Sequence, residues 1–224
     1  MTTVIAFDVY GTLIDTTGVA TYLKELVGDR AEELTRRWRD KQLEYSFRRG
    51  LMQNFEDFSV CTRQALDFCC AELGIDLTEE NRKLLLESYR TLPAFPDACA
   101  ALPLLRQSGC HLYAFSNGRA DDVLNLLQHA GIDQFFLDIV TTGEIKSFKP
   151  NPGVYAHFLR RAKASGHESW LISGNPFDVI GAISAGMRSA WVRRSPDKPF
   201  DPWEFQPTAT IASLKDLPSV IAPT

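Results

Sequence analysis

A chain of 224 residues that is 45% hydrophobic and 23% charged has enough apolar material for a sizeable core, which excludes an intrinsically disordered protein. Its formal net charge is −4, and the one basic cluster, Arg30 to Arg39, is broken by Glu32, Glu33 and Trp38, so it reads as a solvated helix face and not as a nucleic-acid footprint. No apolar run reaches the length of a membrane span, Met1-Thr2-Thr3 opens no leader pattern, and the five cysteines lack metal-ligand spacing, so a cytoplasmic protein with no membrane partner is expected.

The first predicted element is a strand over Val4–Val9. Val4, Ile5, Ala6 and Phe7 deliver Asp8 to a turn marked by Gly11-Thr12. In open parallel sheets ligands bind beyond the carboxyl ends of the strands, which is where Asp8 stands. On this segment alone an ordinary capping Asp is an equally good reading. Tyr10, two residues on, withholds a second carboxylate from the same turn.

From Asp15 to Ala94 the periodicity is helical throughout, over Tyr22–Val27, Arg30–Arg49, Phe58–Leu73 and Glu79–Leu92. In the second of these, Leu34, Trp38, Lys41 and Tyr45 recur at helical intervals, with Arg39 one position off Trp38. Pro93 and Pro96 close the section. It reads as an all-helical cap, residues 15–95, inserted after the first strand and poised over the sheet edge, where it would exclude water. Residues 1–14 and 96–224 are left as the core.

From residue 97 strands and helices alternate. Strands are expected over His111–Ser116, Leu137–Thr142, Ser169–Ser173, Ser189–Arg193 and Ala209–Ala212. Helices are expected over Asp97–Gln107, Ala120–His129, Pro152–Ala164 and Phe177–Ala185, with Ser195–Pro207 a surface excursion. This is the rhythm of an α/β protein with a Rossmann-like, doubly wound parallel sheet.

Three more polar segments terminate strands as Asp8 does. Ser116-Asn117-Gly118 offers a hydroxyl, an amide and close backbone approach, suited to an anion, or else a plain helix cap. Lys149 is held extended by Pro150 before Pro152 starts a helix. Alone it reads as a surface lysine; beside carboxylates it is a cation for an anionic substrate and would lower their pKa. Ser173-Gly174-Asn175-Pro176-Phe177-Asp178 puts Asp178 near a helix start, where the dipole favours its charged form and fits it for general-base work, or where it simply caps. Each signal is weak by itself. Their conjunction at one sheet edge points to an active site.

These four segments, in this order, resemble the haloacid dehalogenase superfamily, whose nucleophile is an aspartate ending the first strand. Within it the chain resembles the L-2-haloacid dehalogenases (type II). FDVYGTL, WRDKQLEY (Trp38–Tyr45), FSNG (Phe115–Gly118), FKPNPGVY (Phe148–Tyr155) and SGNPFDVIGA (Ser173–Ala182) carry the likeness, which covers nearly the whole chain. The superfamily's phosphatases carry Asp at the place of Tyr10 and another at the place of Gly174. Those residues supply their acid and a magnesium ligand. Their absence implies an enzyme with no metal and no other cofactor.

The resemblance implies hydrolysis of short L-2-haloalkanoic acids to 2-hydroxy acids with inversion, with fluoroacetate in possible range. Asp8 would attack the α-carbon, expel halide and form an ester; water would cleave that ester with Asp178 as base. Ser116, backbone amides and Lys149 are candidates for holding the substrate carboxylate. Arg39 in the cap would receive the halide, with Asn117 donating to it. Val9 and Tyr10 would lie against the substrate. Phe58 and Phe177 would form apolar walls, and for Phe58 a core role is as good a reading. Ser173 and Asn175 would orient Lys149, Asp178 or the water, and Tyr155 would do the same. The partners implied are a small halogenated carboxylic acid, halide and, from the family, a second copy in a homodimer. The rival readings are a magnesium-dependent phosphatase or phosphonatase and a non-catalytic member of the superfamily.

Overall fold

The structure, a computed structural model, describes residues 2–221. Met1 and residues 222–224, at the two ends of the expected core, lie outside the described residues. The chain opens with β1 (Val4–Asp8) and continues through four helices, α1 (Val19–Val27), α2 (Ala31–Leu51), α3 (Phe58–Leu73) and α4 (Glu79–Ser88). There follow α5 (Pro96–Gln107), β2 (His111–Ser116), α6 (Ala120–His129), β3 (Asp138–Thr141), α7 (Pro152–Ala162), β4 (Ser169–Ser173), α8 (Pro176–Ser184), β5 (Arg188–Val192), β6 (Ala209–Ile211) and the short α9 (Leu217–Val220).

All pairings in the sheet are parallel, and the strand order is β3-β2-β1-β4-β5-β6. The chain therefore winds outward from β1 in one direction through β2 and β3, then returns to β4 and winds the other way. This reversal lies between β1 and β4, the place in such sheets where a crevice opens beyond the strand ends. Asp8 and Ser173 are the last residues of those two strands. Both strands are buried along their full length, as continuous apolar runs covered on both faces require.

Alternation along the strands sorts the core into two layers. Ile5, Phe7, Leu112, Ala114 and Ile172 pack on one face, and Val4, Ala6, Tyr113, Phe115 and Leu171 on the other. The first layer runs on without a break into the helical insert through Leu34, Trp38, Ala65, Leu66, Cys69 and Cys70. The chain leaves for the insert and returns from it side by side. Asp15 N donates to Pro93 O at 2.9 Å, and Phe95 N donates to Leu13 O at 2.8 Å.

Three helices of the insert depart from the expected bounds, the second of them running over Ala31–Leu51 where Arg30–Arg49 was expected. The first begins at Val19, three residues early, because Asp15 accepts from Thr17 N and starts a turn of tighter helix at Thr16–Gly18 that feeds α1. The last stops at Ser88 and not at Leu92, since a proline at 93 disfavours helix in the residue before it. Residues 195–207 carry no helix or strand, as expected of a surface excursion. Among the described residues no helix is long and apolar enough to cross a membrane.

Candidate active site

The turn after β1 is fixed by its own backbone. Val9 O accepts from the amides of Thr12, Leu13 and Ile14, and Gly11 adopts φ +81°, a left-handed conformation that glycine takes without strain. Asp8, 8% exposed, is thereby held with its two oxygens in different surroundings. Oδ2 accepts from Thr12 Oγ1 at 2.7 Å, Asn175 Nδ2 at 2.8 Å and Ser173 Oγ at 3.3 Å. Among the described residues Oδ1 accepts only from Lys149 Nζ, at 3.1 Å. Three donors saturate one oxygen and leave the other with lone-pair capacity. Ser173 and Asn175, expected to orient Lys149, Asp178 or a water, thus hold the carboxylate of Asp8 itself.

Lys149 is 1% exposed and lies between the two carboxylates. Besides Asp8 it donates to Asp178 Oδ2 at 2.8 Å and to Phe115 O at 2.8 Å. An ammonium has three N–H groups, and all three are engaged. A substrate carboxylate held by Lys149 would therefore share one of these donors with the protein's own acceptors. Burial works to lower its pKa, but Asp178 and Asp8 more than offset this, and the net shift is upward. Lys149 stays charged.

Asp178 is fully buried at the third position of α8. Tyr155 Oη donates to its Oδ1 at 2.8 Å, so each carboxylate oxygen has one charged or polar partner. The sequence led us to expect a helix start and a lysine to hold this group well ionised. The balance goes the other way: burial raises its pKa above the ordinary value, Lys149 pulls it down, and the neighbouring Asp8 adds to the rise. Burial beside Asp178 likewise raises the Tyr155 pKa well above normal, so the phenol remains a donor.

The Ser116-Asn117-Gly118 turn does not cap a helix, since α6 starts at Ala120 with Arg119 as its flanking residue. Ser116 Oγ accepts from Gly118 N at 3.0 Å, and Asn117 Oδ1 accepts from Lys149 N at 3.0 Å. Asn117 also borders the space over Asp8. That space is a small cavity of about 10 Å³, room for about one water. Tyr10, Arg39, Phe58, Ser116, Asn117, Lys149, Asn175 and Phe177 all line it together with Asp8.

Among the expected site residues, Ser173, Asp178 and Tyr155 stand behind this wall as partners of Asp8 and Lys149. Val9 does not line the cavity: its side chain is fully buried in the core, so only its backbone can face a substrate. Phe58, 6% exposed, packs near Tyr10 and Phe148 with ring centroids 6.4 and 6.2 Å away, and is both wall and core. Phe177 meets Phe47 edge-on at 5.1 Å. The hydroxyl of Tyr10 is pushed upward in pKa, by burial first and then by Asp122, and stays neutral. A larger cavity of about 780 Å³ adjoins the insert and shares Tyr10 and Phe58 with the small one.

Four participants were not singled out by the sequence. Thr12, four residues after Asp8, looked like turn material, yet its hydroxyl donates to Asp8 and accepts from Gly174 N at 2.8 Å. Leu43 lines the cavity one helical turn after Arg39. Gln42 accepts from Arg39 Nη1 at 2.6 Å and donates to Thr62 Oγ1 at 2.5 Å, and Thr62 in turn donates to Phe58 O at 2.9 Å. Buried polar side chains on an otherwise apolar helical face were the available signal for Gln42 and Thr62.

Gly174 has a steric reason. A Cβ there would stand 2.5 Å from Gly11 O, so a side chain would force the two turns apart. Among the described residues no three His, Cys, Asp or Glu side chains are grouped to hold a metal ion.

Comparison with known proteins places this geometry. The family model described as haloacid dehalogenase-like hydrolase matches residues 2–186. The chain is 33% identical over 217 residues to the (S)-2-haloacid dehalogenase 2 of Pseudomonas sp. (strain CBS-3), covering 97% of this chain and 94% of the relative. It is 32% identical over 190 residues, 85% of each protein, to the haloacetate dehalogenase H-2 of Moraxella sp. (strain B). Among solved structures, the L-2-haloacid dehalogenase from Xanthobacter autotrophicus with chloropropionic acid covalently bound superposes with a TM-score of 0.91 at 29% identity, covering 99% of this chain and 98% of that one.

Proposed function

Because the chain belongs to the haloacid dehalogenase-like hydrolases, we propose that it hydrolyses the carbon–halogen bond of short L-2-haloalkanoic acids through an ester on Asp8. The observation that carries this reading is the asymmetry of Asp8, with three donors on Oδ2 and, among the described residues, only Lys149 on Oδ1. Oδ1 attacks the α-carbon from the side opposite the halogen. The new C–O bond forms as the C–X bond breaks, and halide leaves with the electron pair. No acid is needed for that departure, which suits a neutral Tyr10 at the place where phosphatases of the superfamily carry Asp.

In the ester, Oδ2 becomes the carbonyl oxygen. The donors already aimed at it, Thr12, Ser173 and Asn175, would polarise that carbonyl and hold the oxyanion when water adds. Asp178 takes a proton from the water, with Lys149 keeping it close in energy to the ionised form. Collapse breaks the bond between the Asp8 carbonyl carbon and the former Oδ1, the departing alkoxide takes back the proton held on Asp178, and a 2-hydroxy acid inverted at carbon is released. Ser116 and backbone amides hold the substrate carboxylate, and Arg39 receives the halide with Asn117 donating to it.

Residues 15–95 act as the cap and residues 1–14 with 96–224 as the catalytic core. The reading covers two- and three-carbon acids, fluoroacetate included, for which the space of about 10 Å³ over Asp8 would have to widen. A homodimer and a cytoplasmic location belong to the same reading, and sedimentation would test the former.

Halide release from L-2-chloropropionate in the presence of EDTA is the test. Release without metal supports the proposal. Phosphate release from a phosphomonoester only with magnesium, and no halide from any haloacid, would replace it with the phosphatase reading.

A further inference from the structure

Arg194 lies two residues after β5, reaches back to the β1 turn and is not among the residues lining the cavity over Asp8. Its Nη1 donates to both oxygens of Asp97 at 3.1 and 3.0 Å, and its Nη2 donates to Thr12 O at 2.6 Å. The guanidinium carbon lies 3.6 Å from the ring centroid of Phe95. Asp97 is itself fixed, accepting from Ser213 Oγ at 3.1 Å and Leu214 N at 2.8 Å. One side chain thus grips the outgoing turn at Thr12, the returning chain at Phe95 and the first turn of α5 at Asp97.

We infer that Arg194 is a positioning residue for the nucleophile: by clamping the main chain of Thr12 it fixes the hydroxyl that holds Oδ2 of Asp8, leaving Oδ1 to attack. The inference rests on the dehalogenase reading above. Its physical link is short. The clamp acts on Thr12 O, and Thr12 Oγ1 donates to Asp8 at 2.7 Å while accepting from Gly174 N. A carboxylate turned about its Cβ–Cγ bond would present the wrong oxygen, or the right one out of line, and small misplacements of reacting atoms cost rate steeply.

A plain ion pair would explain the contact with Asp97 but not the geometry of the rest. Arg194 Nε is buried and has no partner among the described residues, a cost that a merely stabilising pair could avoid by turning the fork. The fork is set instead so that one arm meets the carboxylate and the other meets Thr12 O. Lysine has no planar fork with which to do both.

The test compares the full chain with R194Q, R194K, T12V and the double variant R194Q/T12V, measuring halide release and thermal unfolding. R194Q and T12V should each lower kcat about tenfold or more with KM nearly unchanged, since substrate contacts stay in place. The double variant should lose no more than the worse single one, because both break the same link. R194K keeps a charge opposite Asp97 and should still lose kcat, which covers the case in which R194Q does not fold. Wild-type kcat in the Arg194 variants with only a lowered Tm would make Arg194 a structural clamp and overturn the inference, as would losses that multiply in the double variant. A wild-type chain that releases no halide from any haloacid would overturn the functional reading, and the inference with it.

Discussion

The ammonium of Lys149 lies 3.1 Å from Oδ1 of Asp8, the one oxygen of that carboxylate which Thr12, Ser173 and Asn175 leave open. The same nitrogen lies 2.8 Å from Asp178. One cation therefore serves two buried carboxylates, offsetting one of their two charges, while leaving a lone pair of the first available. Replacing it has two expected effects. Lys149→Met should reduce halide release by on the order of a hundredfold or more, as loss of a preorganised charge does. It should also destabilise the fold by about 3–5 kcal/mol, less whatever Asp178 recovers by taking up a proton. Steady-state kinetics and denaturant unfolding check the pair.

The pH dependence follows from Asp178. As a base it must be ionised, so activity falls as the pH drops through its pKa. Burial already raises that pKa, and Tyr155 counteracts the rise by donating to the charged form. Tyr155→Phe removes the donor, raises the pKa further and moves the acid limb of the kcat profile to higher pH, with the plateau little changed. Gly181→Ala should act in the same direction. A Cβ there collides with the Tyr155 hydroxyl and stands 2.8 Å from Pro150 Cβ. An acid limb that stays in place in both variants would remove Asp178 from the base role.

Arg39 hangs on a strut of buried amide and hydroxyl. Arg39→Ala should slow halide departure about a hundredfold without unfolding the cap, because the side chain is only half-buried. Gln42→Ala leaves the guanidinium in place but untethered, and should cost about tenfold. The order of the two effects, with the far-UV spectrum unchanged, is the check.

Strand ends were legible in the sequence because apolar runs stop abruptly at polar residues. β2, α3 and α6 stand where the spacing predicted, and Asp8, Ser116, Lys149 and Asp178 converge at one edge. Division of labour within the site was not legible. Asp178 could be placed at a helix start, but its pKa turns on burial, which depends on Tyr155 arriving from α7 and Lys149 from the loop before it. The three acceptors of Lys149, from β1, β2 and α8, come together only in the fold. Thr12 reaches Gly174 across 162 positions and Arg194 reaches Thr12 across 182, distances at which spacing carries no signal.

The claim on which the account turns is the ester at Asp8, and heavy-oxygen labelling tests it most directly. With enzyme in excess over L-2-chloropropionate in H₂¹⁸O, one turnover should give unlabelled 2-hydroxypropionate and place heavy oxygen in the peptide that carries Asp8. Label in the product of that first turnover, with none in Asp8, would mean that water attacks the substrate carbon itself and would contradict the account.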